Sequence, residues 1–396
     1  MLDARTIEIV KSTLPLLANA GVEVTDHFYK RMFSHNPELK DIFNLSNQAT
    51  GRQQFALFSA VAMYAQHIDD LGALSELVER VAHKHVSFDI QPEQYQIVGH
   101  HLIETLRELA PNEFTDEVAD AWVKAYGLLA NVLIGREHEI YSDYQAKTGG
   151  WTGPRWFEVK AKTAESALVT SFTFAPVDGG EVAEYQPGQY LAVKLKPENA
   201  ENIEIRQYSI SDKFNGESYR ISVKRETQPR NGLVSNYLHD HVQVGDRIEL
   251  MPPTGDFYLA HTDKPTVLIS AGVGITPMMA MLQTLIEAKN KQPVWFLHAC
   301  ANKQQHSYAR QLQEQAEQLE NLHYYYWYKN DDGSDERALS GLMELNRLQF
   351  ELPLDEAHFY ICGPVAFMRF IKQQLLELKV PAAHIHYEVF GPNSDI

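Results

Sequence analysis

The spacing of apolar residues changes twice along these 396 residues, and no other property of the chain constrains its fold as strongly. From residue 1 to about 147 the period is helical. Leu2, Ile7, Val10, Leu14 and Leu17 make one apolar stripe, and Val24, Phe28 and Met32 begin another that stops near Asn36-Pro37. The period continues over 54–68, 74–88, 92–109 and 115–144. Pro92 suits the first turn of its helix, where its missing N–H would have had no partner. At 148–154, Thr-Gly-Gly-Trp-Thr-Gly-Pro, the composition breaks as a short linker does. Short strand-like runs follow at 157–162, 168–174, 190–195, 206–211, 219–224 and 247–251. Asn215-Gly216 reads as a hairpin signal between two of them, and the spacing predicts a small antiparallel β-barrel. From Pro265 apolar runs alternate with helical pattern: 266–270, glycines and a helix to about 288; 294–298 and a helix; 359–362 and a helix to 378. That alternation predicts an open parallel α/β sheet. The expected architecture is multidomain: an all-α domain at 1–147, a β-barrel domain with its linker at 148–260, and an α/β domain at 261–396.

Charge narrows the partners. Lys and Arg number 35 against 52 Asp and Glu, a net charge of −17, which repels nucleic-acid phosphates and anionic membranes. Cys300 and Cys362 are the only cysteines, too few for a disulfide framework, and no Cys-x-x-Cys signals structural zinc. The N-terminus lacks a basic stretch followed by an apolar core, and no window approaches 18 uncharged apolar residues. A soluble cytoplasmic protein, with a monomer as the default, is the expectation.

Seventeen histidines make any single one poor evidence for a metal ligand. His85 stands out by its company. Tyr29 lies on the second helical stretch, Phe43 follows the turn after it, Gln53 and Leu57 are i, i+4 neighbours on one helix face, and Phe88 follows His85. This part of the chain resembles bacterial globins, specifically the N-terminal domain of flavohaemoglobins. The resemblance implies that His85 is the proximal ligand to the iron of one haem b, with Lys84 beside it in the pocket. It also implies that Phe43 packs on the porphyrin, that Tyr29 points its hydroxyl at bound oxygen with Gln53 assisting, and that Leu57 crowds the distal side. Tyr95 and Glu137 match the family's hydrogen-bonding pair around the ligand imidazole, which makes that ligand more electron-donating. Without the resemblance, Glu137 would read as a solvated charge and Tyr29 as a boundary residue with its hydroxyl in water.

The middle third carries Arg206-Gln207-Tyr208-Ser209, preceded by Pro187-Gly188-Gln189-Tyr190 and followed by Gly232-Leu233-Val234-Ser235. These resemble the ferredoxin-reductase type of FAD domain. The resemblance implies that Arg206 meets the FAD pyrophosphate, that Tyr190, Gln207 and Tyr208 line the flavin, and that Ser209 hydrogen-bonds the ring where hydride arrives. Gly232, Val234 and Ser235 would offer a helix N-terminus to phosphate. The stretch 226–231, with Pro229 and Arg230, is longer than the usual connection into that turn. In the last third, Ala271-Gly272-Val273-Gly274-Ile275-Thr276-Pro277 follows an apolar run and opens a helix. It is not Gly-x-Gly-x-x-Gly. It resembles the nicotinamide-binding motif of the same reductases, as do Cys362-Gly363-Pro364 and Glu388-Val389-Phe390-Gly391-Pro392. Phe390 would cover the flavin until nicotinamide displaces it, and Val389 stands where family members often have Cys.

In flavohaemoglobin order, the three modules imply that NAD(P)H gives hydride to FAD and that single electrons pass on to haem. They further imply that nitric oxide and O2 become nitrate. That is nitric oxide dioxygenase activity in nitric oxide detoxification. Two other readings stand: a haem-based oxygen sensor or store, and a reductase of external acceptors such as ferric complexes. No output module is visible for a sensor, and an internal acceptor argues against external reduction.

Overall fold

The computed structural model describes residues 2–18, 22–43, 52–198, 200–331, 333 and 335–391. Contacts divide the chain into two compact units. One comprises Met1–Lys147 with Trp151–Pro154 and Lys194–Ile205; the other comprises Thr148–Gly150, Arg155–Val193 and Arg206–Ile396.

The first unit is helical: α1 Ala4–Ser12, α2 Leu14–Ala18, α3 Val22–His35, α4 Arg52–Gln66, α5 Ser75–Val86, α6 Pro92–Leu109 and α7 Asp116–Ala146. The first apolar stripe breaks at Thr13, because Pro15 has no N–H for a continuing helix and instead sits in the first turn of α2. Thr13 is buried, and its Oγ1 accepts the Trp122 Nε1–H at 3.1 Å. Asp3 caps α1 through the Thr6 N–H, and a capping box formed by Gln91 and Gln94 starts α6. Phe28, Met32, Tyr64, Leu102, Leu106 and Trp122 fill the core. Each large apolar side chain buried there contributes about 1.5–3 kcal/mol. By length and composition α7 could cross a membrane. Here it buries Trp122, Ala125, Leu133 and Ile140 within the helical unit.

The second unit begins with an antiparallel sheet of β1 Arg155–Ala164, β2 Val169–Pro176, β3 Tyr190–Leu195, β4 Glu204–Ser209, β5 Tyr219–Lys224 and β6 Arg247–Leu250. The strand order is β4-β3-β6-β1-β2-β5. The Asn215-Gly216 turn is present, with Gly216 at φ +80 and Asn215 Oδ1 accepting two backbone N–H groups. It joins β4 to β5, as the sequence predicts; these are the two edges of the sheet, and the antiparallel Ile210↔Ile221 bridge between them closes the barrel. Phe157, Phe172, Phe174 and Ile221 are completely buried. Helix α8, Leu233–Asp240, lies between β5 and β6.

The nucleotide lobe is a parallel sheet, β7 Thr266–Ala271, β8 Val294–Cys300, β9 Leu322–Tyr328, β10 Leu339–Ser340, β11 His358–Cys362 and β12 Ile385–Glu388, with helices α9 Ile275–Glu287, α10 Ala309–Gln318 and α11 Val365–Glu377. The order β10-β9-β8-β7-β11-β12 makes β7 central and buried at every position, as its unbroken apolar run requires. Val267 and Ile269 pack with Met368 and Ile371 on one face; Leu268 packs with Met278 and Leu282 on the other.

Candidate functional site

In the helical unit three residues from three helices converge. His85 Nδ1 lies 2.6 Å from the Tyr95 hydroxyl and 2.9 Å from Glu137 Oε1. The Tyr95 hydroxyl also donates a short hydrogen bond to Glu137 Oε1. A carboxylate only accepts, so Nδ1 carries the imidazole proton and Nε2 keeps its lone pair. No described residue partners Nε2, and the His85 side chain is 30% exposed while Glu137 is 5%. Burial, followed by the Glu137 charge, pushes the Tyr95 pKa far above its usual range. Tyr95 therefore stays a proton donor.

Tyr126 belongs to this group although its role is not apparent from motif matching. Its hydroxyl donates to the Tyr95 carbonyl at 2.8 Å. A Cβ at Gly99 would lie 2.7 Å from Tyr126 Cδ1, so only glycine leaves room for that ring. The signal was present in the spacing: Tyr126, Ala130, Leu133 and Glu137 recur at i, i+4, i+7 and i+11 on one face of α7.

Elsewhere in this unit, Tyr29 is 4% exposed, and its hydroxyl has no hydrogen-bond partner among the described residues. Burial raises its pKa well above the usual tyrosine value. Its ring packs 5.0 Å from Phe28, 5.8 Å from Phe33 and 5.8 Å from Phe43. Leu57 is partly buried against the same core. Lys84 holds its Nζ 5.9 Å from the Phe88 ring centroid. Gln53 falls on α4, but its side chain lies outside the described residues. An open imidazole nitrogen, a neutral buried tyrosine and an aromatic wall fit a haem.

In the barrel, Arg206 and Tyr208 share one face of β4 while Gln207 and Ser209 take the other. Tyr208 has its pKa pushed up by burial, Arg206 opposing this and Glu226 adding to it. Tyr190 exchanges backbone hydrogen bonds with Thr254 at 2.9 Å each way. The long 226–231 stretch is pinned at its base: Gly232 N–H donates to the Glu226 carbonyl at 2.8 Å, and Asn236 Nδ2 donates to the same oxygen at 2.7 Å. Gly232 caps α8, and a Cβ there would collide with Ser235 Oγ and lie 3.0 Å from Glu226 Cβ. Val234 and Ser235 are buried behind it. The α8 N-terminus, which no side chain caps, fits a pyrophosphate-bearing flavin.

In the parallel sheet, β8 and β9 lie on one side of β7 and β11 on the other, so the strand order reverses at the C-terminal ends of β7 and β11. Crevices form at such reversals. Here both strands end in glycine turns. Gly272 has φ +54; Gly272–Gly274 forms one 3₁₀ turn and Ile275 starts α9, with Thr276 Oγ1 donating to the Val273 carbonyl at 3.0 Å and Pro277 in the first turn. A Cβ on Gly274 would collide with the Cys362 carbonyl and lie 2.7 Å from Gly363 N. Cys362 is completely buried, which raises its thiol pKa, and Pro364 precedes α11. Glu388 pairs in register with Cys362, so Glu388, Val389, Phe390 and Gly391 leave β12 at this same end of the sheet. Phe390 is 44% exposed. Pro392 lies outside the described residues. The crevice suits an extended dinucleotide.

Comparisons with known proteins match these regions in order. The globin family model matches residues 26–133, the oxidoreductase FAD-binding domain 156–258 and the oxidoreductase NAD-binding domain 268–373. Fold and sites together define an NAD(P)H-dependent oxidoreductase in which a globin is fused to a flavin reductase, with haem, FAD and a nicotinamide dinucleotide as its cofactors. A flavohemoprotein of Vibrio cholerae serotype O1 is 52% identical over 401 residues, spanning 100% of both chains. The chain belongs to the flavohaemoglobin family. The crystal structure of flavohemoglobin from Malassezia yamatoensis, with bound FAD and heme, superposes with a TM-score of 0.86 at 25% identity, covering 98% of this chain and 100% of that one. The FAD/NAD binding domain of nitric oxide dioxygenase from Vibrio cholerae O1 biovar El Tor matches at 47% identity and a TM-score of 0.57, over 60% of this chain and 99% of that one.

Proposed function

We propose that this protein is a nitric oxide dioxygenase: two nitric oxide and two dioxygen molecules, with one NAD(P)H, give two nitrates, NAD(P)+ and a proton. The observation that carries this reading is the His85–Tyr95–Glu137 group on the same chain as a flavin and nucleotide module. A carboxylate accepting the ligand imidazole N–H makes the ligand electron-rich, which favours oxygen activation over storage. When bound, haem supplies a one-electron iron centre that takes up oxygen, and FAD supplies the exchange of one hydride for two single electrons.

The chain's own residues do the rest. His85 offers Nε2 while Glu137 and Tyr95 hold its ring and proton in place. Tyr29, neutral because it is buried, keeps its O–H as a donor for negative charge developing on oxygen; Gln53 assists. Phe43 and Leu57 exclude water, and Lys84 borders the pocket. Arg206 neutralises flavin phosphate, the N–H groups of 232–235 add to it, and Tyr190, Gln207, Tyr208 and Ser209 hold the ring. The glycines of 272–274 and Gly363 let a dinucleotide approach the backbone, with Val273, Ile275, Thr276, Pro277, Cys362 and Pro364 shaping the crevice. Phe390, exposed beyond β12, covers the flavin until nicotinamide arrives.

In His85→Ala the haem absorption band and nitric oxide consumption are expected to vanish, while flavin content and NAD(P)H-dependent ferricyanide reduction survive. A retained Soret band in that variant, with loss on replacing His83 or His67 instead, would contradict the assignment.

A further inference from the structure

A cluster of imidazoles lies at the opposite end of β11 from the nucleotide crevice. We propose that His261, His358 and His386 bind one divalent transition-metal ion of the zinc type, clipping the segment between the barrel and β7 to the strand pair β11–β12. One ligand-capable nitrogen from each of these histidines lies within 4.8 Å of the others. His358 Nδ1 and His386 Nε2 are 2.9 Å apart. The His261 ring stacks on His358 with centroids 3.9 Å apart.

Topology brings them together. His358 opens β11 and His386 lies on the adjacent β12 opposite Tyr360, on the face that His358 shares, while His384 comes from the turn just before β12. His261 arrives from the strand-free segment that leaves the barrel after β6. That segment is tied to the sheet by the Ala260 N–H donating to the Tyr360 hydroxyl at 3.2 Å.

The donor chemistry suits zinc. Tetrahedral zinc with Zn–N bonds of about 2.0 Å separates its ligand nitrogens by about 3.3 Å, near the present His358–His386 spacing, and the stacked rings turn out of the stack to aim their lone pairs at one ion. The packing leaves donors unused: His384, whose ring stacks 4.6 Å from His358, has a buried Nδ1 with no hydrogen-bond partner. Asp263, whose charge acts on His358, supplies a nearby anion to balance the cation. Four residue steps along β11 separate His358 from Cys362, roughly 13 Å at strand rise, so the ion acts as a clip away from the hydride path.

The test uses the full-length, haem- and FAD-loaded protein after treatment with a chelator. Zinc titration by calorimetry is expected to show one saturable equivalent that weakens at least about tenfold in His261→Gln and in His386→Gln. Zinc should raise the temperature of flavin release in the wild type and leave both variants unmoved. Retained FAD absorbance and ferricyanide reduction establish that each variant is folded. Should His386→Gln lose its flavin, His261→Gln, on the partly exposed segment, carries the test. Zinc binding of equal affinity in the wild type and a folded variant, or no saturable equivalent in the wild type, overturns the proposal.

Discussion

Tyr29 bears the sharpest claim at the scale of single residues. The residue is 4% exposed and burial keeps its phenol neutral, so its O–H remains a donor for a ligand oxygen. A hydrogen bond to a partly negative oxygen is worth about 1.5–3 kcal/mol. Tyr29→Phe should therefore release oxygen at least about tenfold faster, as read by flash photolysis; an unchanged rate removes Tyr29 from this role. His85, Tyr95 and Glu137 came together through the family resemblance, since spacing alone leaves Glu137 a solvated charge. Tyr126 shares a helix face with Glu137, but the fit of its ring against Gly99 shows only when two helices are packed. The His261–His358–His386 cluster was equally hidden, because it depends on the register of β11 against β12 and on where the segment leaving the barrel runs.

Among the elements, Gly274 and Gly363, in the turns that end β7 and β11, are crowded against substitution. In Gly274→Ala the new Cβ meets the Cys362–Gly363 peptide, which is backbone and cannot move aside. Overpacking of this kind costs about 1–3 kcal/mol. The expected result is a large rise in KM for NAD(P)H with the haem spectrum intact; unaltered nicotinamide kinetics would contradict the crevice. The β8–β9 region carries a pH signature. His306 sits between the Tyr328 hydroxyl at 3.0 Å and the Tyr324 hydroxyl at 2.7 Å, and burial lowers its pKa to about 4. Unfolded, it titrates near 6.5, so its contribution to stability is complete above that pH and is lost as pH falls toward 4. The urea midpoint should fall from pH 7 to pH 5 in the wild type and fall less in His306→Gln. An identical fall in both would show that His306 is not responsible. Most elements were readable from period alone. Strand β9 escaped despite five aromatic residues in seven, a strong strand composition, and β12 escaped because four residues at a sheet edge carry almost no periodic signal.

For the whole molecule, the order of the three modules was legible from period and motif, and the family match supports it end to end. What the order implies is a flow of electrons: hydride enters at the β7–β11 crevice, and single electrons leave toward the globin. The most direct test is the stoichiometry of turnover with excess NAD(P)H and oxygen. The full chain should consume one nicotinamide for each pair of nitric oxide molecules and form nitrate continuously, whereas residues 1–147 alone should consume nitric oxide once per reduced haem and stop. A single stoichiometric burst from the full chain, or nicotinamide oxidation that ignores nitric oxide and rises with added ferric chelates, would contradict the account.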